Sequence, residues 1–178
     1  MNVTSIRVHL LYAALLFTPA GSVMAADSSS VRAVIQPENE RKVAPDFALK
    51  DSSGKTIKLK KFRGKVVLLD FWATWCTGCK QEIPWFSEFQ RTYGAKGFAV
   101  VGVSLDEGWK VLKPFLAETK APYKMLLGDD PTARQYEIKT LPDTFLIDRQ
   151  GRVAAAYRGG LVDKDDVEMN IKTLLSKR

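Results

Sequence analysis

The chain has 178 residues, of which 46% are hydrophobic and 26% are charged, with 12 glycines and 8 prolines. This composition is typical of a globular protein, and the length favours one domain with a full hydrophobic core. The formal net charge is +7, but the basic residues are scattered, and KLKKFRGK is their densest group. Such a surface favours a solvated basic rim over a nucleic-acid binding patch, so we expect no nucleic-acid partner.

The first 25 residues have the features of a secretory signal peptide. Arg7 gives a basic start, the apolar run VHLLYAALLF follows, and small residues precede the end at Ala25. An uncleaved membrane anchor is the alternative. The run is interrupted by Pro19 and Gly21, however, and it is shorter than the roughly 20 residues that a membrane-spanning helix needs. We therefore expect cleavage after Ala25 and export of the mature protein.

Cleavage removes His9, the only histidine of the chain. A mature protein without histidine has no triad that relies on histidine and no His-bearing zinc site. Residues 26–42 are polar and predict a flexible lead-in. The folded domain is therefore expected over residues 43–178.

The predicted domain begins with a β-hairpin, because apolar and polar residues alternate on both sides of a DSSG turn. The next run, KVVLLDFWA, is almost continuously apolar, which is typical of a strand buried on both faces of a central sheet. From Cys76 onward the apolar residues are three or four positions apart, and this spacing predicts a helix that Gly94 closes.

The second half of the chain predicts a buried strand in GFAVVGVSLD, a helix in EGWKVLKPFLAETK and a short strand in YKMLLGDD. Asp130 and Pro131 then form a helix-start signature. A hairpin in DTFLIDRQGRVAAAYRG and an amphipathic helix in DKDDVEMNIKTLLSKR complete the chain. Strands that alternate with helices and end in an antiparallel pair predict an α/β fold with a mixed central sheet and helices on both faces.

Cys76 and Cys79 are the only cysteines, and they lie at the predicted junction between the buried strand and its helix. A bridge between them closes a very short loop, so it would stabilise the protein little by constraining the unfolded chain. At a helix N-terminus, by contrast, unpaired N–H groups and the helix dipole stabilise a thiolate, the form that attacks disulfides. We interpret the pair as a redox-active dithiol in which Cys76 attacks and Cys79 resolves the mixed disulfide.

A structural staple and a metal site are the alternatives for the two cysteines. Structural zinc takes four ligands, and the mature chain has no further Cys or His, so we predict no zinc site. A linear Cu(I) site on the two sulfurs stays open, because soft thiolates suit that ion.

Three neighbours of the cysteines are candidates for substrate contact and proton transfer. Trp75 is either a packing residue or a flat surface for substrate. Asp70 interrupts an apolar strand, and a lone buried carboxylate is costly unless its pKa rises and it exchanges a proton. It is therefore a candidate to take the proton from Cys79, and the alternative is an Asp that reaches water. Glu82, three residues after Cys79, is a second candidate.

The stretch FWATWCTGC and its flanks resemble the thioredoxin superfamily, and most closely the exported TlpA/ResA/DsbE-like thiol–disulfide oxidoreductases. The resemblance runs from about Ala44 to the C-terminus. It includes the opening hairpin, the W-C-x-x-C motif, Pro84 after the second cysteine and the segment TLPDTFLID. It implies a thioredoxin fold with an N-terminal β-hairpin and a central insertion around residues 123–129.

The same resemblance assigns substrate-binding residues. Pro142 corresponds to a cis-proline beside the active site, and the backbone of Leu141 is expected to pair with an extended substrate strand next to Cys76. Thr77 and Gly78, between the cysteines, are expected to contact the substrate too. Their sequence is neither the Gly-Pro of thioredoxin nor the Glu-Pro common in this group, so the reduction potential does not carry over.

The resemblance leaves open which acid handles the proton. Glu82 matches an acidic position that the group carries after its CxxC motif. Asp70 is a departure, since many members of the group have Asn there, whereas ordinary thioredoxins have Asp.

The function that the resemblance implies is reduction of disulfides in client proteins of the periplasm, with cytochrome c maturation the commonest task. Electrons would come from a quinone- or thiol-linked membrane donor, and the protein would need no cofactor. We expect a monomer. A disulfide-forming oxidase or isomerase is the alternative of the same class. A peroxiredoxin-type peroxidase is disfavoured, because the arrangement P-x-x-x-T-x-x-C is absent.

Overall fold

The computed structural model describes Met1 and residues 30–177. The predicted signal peptide therefore lies outside the described residues, apart from Met1. Within residues 30–177 no helix is both long enough and apolar enough to cross a membrane.

The described part of the chain forms one seven-stranded sheet and four α-helices. The strands are Ala48–Asp51 (β1), Thr56–Lys58 (β2), Val66–Trp72 (β3), Phe98–Ser104 (β4), Lys124–Leu127 (β5), Asp143–Ile147 (β6) and Val153–Arg158 (β7). The helices are Thr77–Tyr93 (α1), Trp109–Thr119 (α2), Asp130–Gln135 (α3) and Lys164–Ser176 (α4).

The order of strands in the sheet is β2-β1-β5-β4-β3-β6-β7. The pairs β3–β4 and β4–β5 are parallel, and the other neighbours are antiparallel. Every residue of β3 and β4 is buried, as expected for central strands covered on both faces. The predicted α/β fold with a mixed central sheet is confirmed.

The DSSG turn joins β1 and β2 into a hairpin. Gly54 has φ +83°, a left-handed conformation that glycine adopts without a steric penalty. The carboxylate of Asp51 accepts hydrogen bonds from the backbone N–H groups of Ser53 and Lys55, both at 3.1 Å, and so fixes the turn. The predicted hairpin is confirmed.

Alternate residues of β3 point to opposite faces of the sheet. Val66, Leu68, Asp70 and Trp72 share what we call the α1 face, because Phe86 and Phe89 of α1 pack there with apolar residues of α4. The opposite face carries a second core with the hairpin and the segment that follows α3. Asp70 is thus directed into the core beneath α1.

The N-terminal segment differs from the predicted flexible lead-in. From residue 31 onward it lies along the domain, with isolated bridges at Val31 and Val43. Val31, Ala33 and Ile35 are partly buried against the core of the α1 face. This two-residue alternation of apolar side chains is the signal that the polar composition of residues 26–42 obscured.

A buried ion pair also holds this segment. Nη1 of Arg41 lies 3.1 Å from the carboxylate of Asp148, and only 2% and 4% of the two side chains are exposed. Asp148 also accepts a hydrogen bond from Nε of Arg152 at 2.9 Å. A buried carboxylate with two guanidinium partners keeps its charge compensated. The prediction of a flexible lead-in is therefore wrong over residues 31–42, which are part of the folded domain.

The start of α3 differs from its prediction by one residue. The N-cap is Asp129 instead of Asp130, and its side chain accepts a hydrogen bond from Thr132 N at 2.8 Å. Pro131 occupies the first turn, as predicted, where its missing N–H is not needed.

Candidate active site

The two cysteines lie where β3 ends and α1 begins. Cys76 is the N-cap of α1, and its sulfur accepts a hydrogen bond from Cys79 N at 3.2 Å. The two residues form a disulfide, with 5.3 Å between their α-carbons. The predicted position at a helix N-terminus is confirmed, and the catalytic roles of the two residues stay predictions.

The two cysteines differ in their access to solvent. Cys76 is 7% exposed, whereas Cys79 is fully buried. Both belong to an apolar cluster with Leu112 of α2, and the partly buried Leu141 packs against that cluster. The position of α2 beside the sulfurs was not apparent from the sequence, because its contacts are made between residues far apart in the chain.

The predicted substrate-binding residues surround the disulfide. The Leu141–Pro142 peptide bond is cis, as the resemblance implied. A Cβ added to Gly78 would lie 3.6 Å from Cδ of Pro142, so these two residues are neighbours across the site. Thr77 is exposed. Trp75 is 68% exposed, which contradicts the packing role that the sequence left open for it.

Asp106 anchors the loop that carries the cysteines, and sequence analysis did not identify it. Its carboxylate accepts hydrogen bonds from the backbone N–H of Thr74 at 3.1 Å and from the Thr74 hydroxyl at 2.7 Å. It also accepts one from the Ser104 hydroxyl at 2.6 Å. Asp106 itself is buried. The end of β4 therefore fixes the turn before Trp75 and Cys76.

Asp70 is buried beneath α1 and is 1% exposed. One carboxyl oxygen accepts a hydrogen bond from the Thr144 hydroxyl at 3.3 Å, and the other has no partner among residues 30–177. Burial, together with the negative charge of Asp143, raises the pKa of Asp70 to about 7, although the hydrogen bond from Thr144 lowers it. The alternative in which Asp70 reaches water is wrong.

Glu82 of α1 is fully buried as well. One oxygen accepts a hydrogen bond from Val162 N at 2.8 Å, and the other is without a partner in the part of the chain that the structure describes. Burial, together with the charge of Asp70, raises the pKa of Glu82 to about 9, although the hydrogen bond from Val162 lowers it. Because each charge opposes the other, the two carboxyl groups titrate as a pair and do not readily ionise together.

Metal binding has little support beyond the two sulfurs. Over residues 30–177 no three His, Cys, Asp or Glu side chains are grouped so that they could hold a metal ion. A linear Cu(I) site needs only the two thiolates, so this alternative stays open.

Replacing Asp106 with Ala is expected to lower the free energy of unfolding by about 2 kcal/mol, because it leaves buried donors on Thr74 and Ser104 without an acceptor. Urea unfolding of the oxidised protein measures this change. The neighbouring Glu107 is exposed and provides the control, since Glu107→Ala should change stability by less than about 0.5 kcal/mol. Equal effects of the two substitutions would contradict the anchoring role.

Because of the buried acids Asp70 and Glu82, we expect the free energy of unfolding to decrease as pH rises. Unfolded Asp and Glu ionise near a pKa of about 4, whereas burial keeps Asp70 and Glu82 protonated to higher pH. Above about pH 4 the unfolded state therefore binds fewer protons, and the free energy of unfolding falls as pH rises towards the folded pKa values.

In the double variant Asp70→Asn, Glu82→Gln, the free energy of unfolding should fall much less as pH rises. Urea unfolding of the oxidised wild-type and variant proteins at about pH 5 and about pH 8 measures it. A decrease of the same size in both proteins would show that other groups are responsible.

Comparison with known proteins adds independent evidence. The AhpC/TSA family profile matches residues 41–156. Thiol-disulfide oxidoreductase ResA of Bacillus cereus (strain ATCC 10987 / NRS 248) is 35% identical over 135 residues, which cover 75% of this chain and 77% of that protein. ResA of Bacillus subtilis (strain 168) is 32% identical over 121 residues, covering 67% of this chain and 68% of that protein.

Solved structures give the same result. A crystal structure described as a thiol:disulfide interchange protein DsbE from Chlorobium tepidum has a TM-score of 0.73 and 40% identity, covering 76% of this chain and 97% of that one. The solution structure of a thiol:disulfide interchange protein from Bacteroides sp. has a TM-score of 0.68 and 27% identity, covering 78% of this chain and 92% of that one. The chain therefore belongs to the AhpC/TSA family and, within it, to the thioredoxin-fold thiol–disulfide oxidoreductases similar to ResA and DsbE.

Proposed function

We propose that this oxidoreductase is exported to the periplasm, where it reduces disulfides in client proteins. The observation that carries the proposal is the unequal access of two sulfurs at one helix N-terminus. Cys76 retains some exposure, and Cys79 has none. A client disulfide can therefore reach Cys76 first, and Cys79 can react only with what Cys76 holds.

The first step is attack by the Cys76 thiolate. The helix N-terminus stabilises this thiolate, and the N–H of Cys79, which lies 3.2 Å from the sulfur in the oxidised protein, is the nearest donor. Attack forms a bond between Cys76 and one client sulfur and breaks the client disulfide. The other client sulfur leaves as a thiolate and takes a proton from water.

The second step is attack by Cys79 on the sulfur of Cys76. The Cys79 thiol must first lose its proton, and because Cys79 is fully buried, a buried base has to accept it. The Asp70–Glu82 pair beneath α1 supplies a carboxylate for this purpose. The Cys79 thiolate then displaces the second client sulfur, so the client gains two electrons and the protein ends as the observed disulfide.

The client is held by the surface around Cys76. Trp75 offers an exposed aromatic face. The backbone at Leu141, before the cis-Pro142, pairs with an extended client strand beside Cys76. Thr77 and Gly78 complete this surface between the cysteines.

A Cys79→Ala variant should accumulate mixed disulfides with clients, because the first step proceeds and the second cannot. The measurement is non-reducing electrophoresis of the exported variant, followed by mass spectrometry of the bands that reductant releases. The matched control is Cys76→Ala, which keeps only the buried sulfur and should trap far less. Equal trapping by the two variants would contradict the assignment of Cys76 as the attacking cysteine.

The captured proteins and the reduction potential together define the direction. Cytochrome c precursors among the clients would support a role in cytochrome c maturation. In this role a membrane protein would donate the electrons that reduce the disulfide again. We expect a potential nearer to the thioredoxin value of about −270 mV than to the DsbA value of about −120 mV. A value near that of DsbA would favour the oxidase alternative, and tight one-to-one Cu(I) binding by the reduced protein would favour the copper site.

Export predicts a defined mature N-terminus. The basic start, the apolar run and the small residues before Ala25 support cleavage there, so the mature protein should begin at Ala26. Intact-mass measurement of the protein recovered from the periplasm checks this. Recovery of the uncleaved chain in the membrane fraction would instead support the anchor.

A further inference from the structure

Tyr123, in the segment between α2 and β5, is a half-buried residue that the mechanism above does not use. Its ring packs against two apolar clusters, the core of the α1 face and the cluster around the two sulfurs. Its hydroxyl oxygen is buried and has no hydrogen-bond partner among residues 30–177. Because an unsatisfied buried hydroxyl is costly, its retention at this position calls for a partner.

The candidates for that partner are the two buried acids, because Tyr123 packs against residues that flank them, Leu68 and Phe86 in one cluster and Trp72 and Cys79 in the other. Asp70 and Glu82 each have one carboxyl oxygen without a partner in the described chain. The charges of both acids raise the pKa of Tyr123, together with its burial, so the hydroxyl lies within their electrostatic reach. One donor and two acceptors from three different elements thus share one buried region.

Trp72 contributes the only other unpartnered donor of this kind on the α1 face within residues 30–177. Its indole nitrogen is buried without a partner and lies 3.0 Å from the position that a Cβ on Gly102 would take. The indole is therefore directed along the sheet towards β4. The phenol comes from the segment before β5, which lies beyond β4 in the sheet, and it is the donor that a conservative substitution can remove alone.

We propose that Tyr123 is a positioning residue for proton transfer: its hydroxyl donates a hydrogen bond, through a bridging water, to the Asp70–Glu82 pair. This inference rests on the proposed function, in which the pair receives the proton of Cys79. The bond favours the charged form of the pair, since a donor stabilises a carboxylate. During the transfer the proton passes from the Cys79 sulfur to a carboxyl oxygen, and Tyr123 keeps its own proton.

Other charged groups around the pair act in the opposite sense. Asp143 of β6 precedes Thr144, which lies opposite Asp70 in the sheet. Its charge raises the pKa of Asp70, although Asp143 is itself held by Arg158 at 3.0 Å. In the reduced protein the Cys76 thiolate adds a further negative charge nearby. Without a donor such as Tyr123, the pair would hold a carboxylate only at more alkaline pH.

The test removes only the hydroxyl. In Tyr123→Phe, the lower of the two carboxyl pKa values of the pair should rise by about one unit. Carbon NMR titration of the Asp70 and Glu82 carboxyl groups measures this in the oxidised protein, where no thiol titrates. The rising limb of the pH profile for client reduction should move to higher pH by a similar amount.

Tyr136→Phe is the matched control. Tyr136 is a buried tyrosine that lies in the core of the opposite sheet face, and its hydroxyl donates to the carbonyl of Pro45 at 2.7 Å. Its substitution should leave the carboxyl titration and the pH profile unchanged. Equal shifts in both variants, or no shift of the carboxyl titration in Tyr123→Phe, would overturn the proposal. A shift of the titration without a shift of the pH profile would overturn the role in proton transfer.

Two further measurements separate the possible failures. In the wild-type protein the ring carbon that bears the Tyr123 hydroxyl should respond to the titration of the pair, and a constant resonance would overturn the hydrogen bond whether or not the variant folds. The double variant Asp70→Asn, Glu82→Gln tests the underlying proton role. If its pH profile for client reduction matches that of the wild type, the proposed function of the pair is wrong, independently of Tyr123.

Discussion

The constraint on which the site depends is the junction where β3 stops and α1 begins. At this point the hydrogen bonds of the sheet end, and the N–H groups of the first helical turn have no partners within the helix. Cys76 occupies this position, so its sulfur receives an N–H hydrogen bond from Cys79. The parallel pairing of β3 with β4 brings Asp106 beside the same turn, where it binds Thr74. The location of the sulfur is therefore a consequence of the sheet topology.

The two buried acids beneath α1 destabilise the fold when they are charged. An apolar residue in place of Asp70 would continue the pattern of β3, and Glu82 lies among mainly apolar buried residues of α1. One oxygen of Asp70 accepts a hydrogen bond from Thr144, and one oxygen of Glu82 accepts a hydrogen bond from Val162. The other oxygen of each carboxyl group has no partner in residues 30–177. Such departures from local consistency are typical of functional positions.

Features set by local pattern could be predicted from the sequence. The continuous apolar run identified β3, and the three-to-four spacing identified α1. The cis peptide at Pro142 followed from the resemblance alone, because few X–Pro bonds are cis. By contrast, the roles of Asp106 and Tyr123 depend on contacts with residues distant in sequence, and nothing local marks them. The packed N-terminal segment was missed because three alternating apolar residues are a weak signal in a polar stretch.

The change in buried charge favours the second step of the proposed cycle. Before Cys79 reacts, the interior holds one carboxylate charge on the Asp70–Glu82 pair and a neutral thiol. After the proton moves and the disulfide forms, the pair is neutral and the disulfide carries no charge. Closure of the disulfide therefore removes a charge from a poorly solvated region, which favours this step. The raised pKa values strengthen the effect, because a carboxylate with a raised pKa is a stronger base towards the Cys79 thiol.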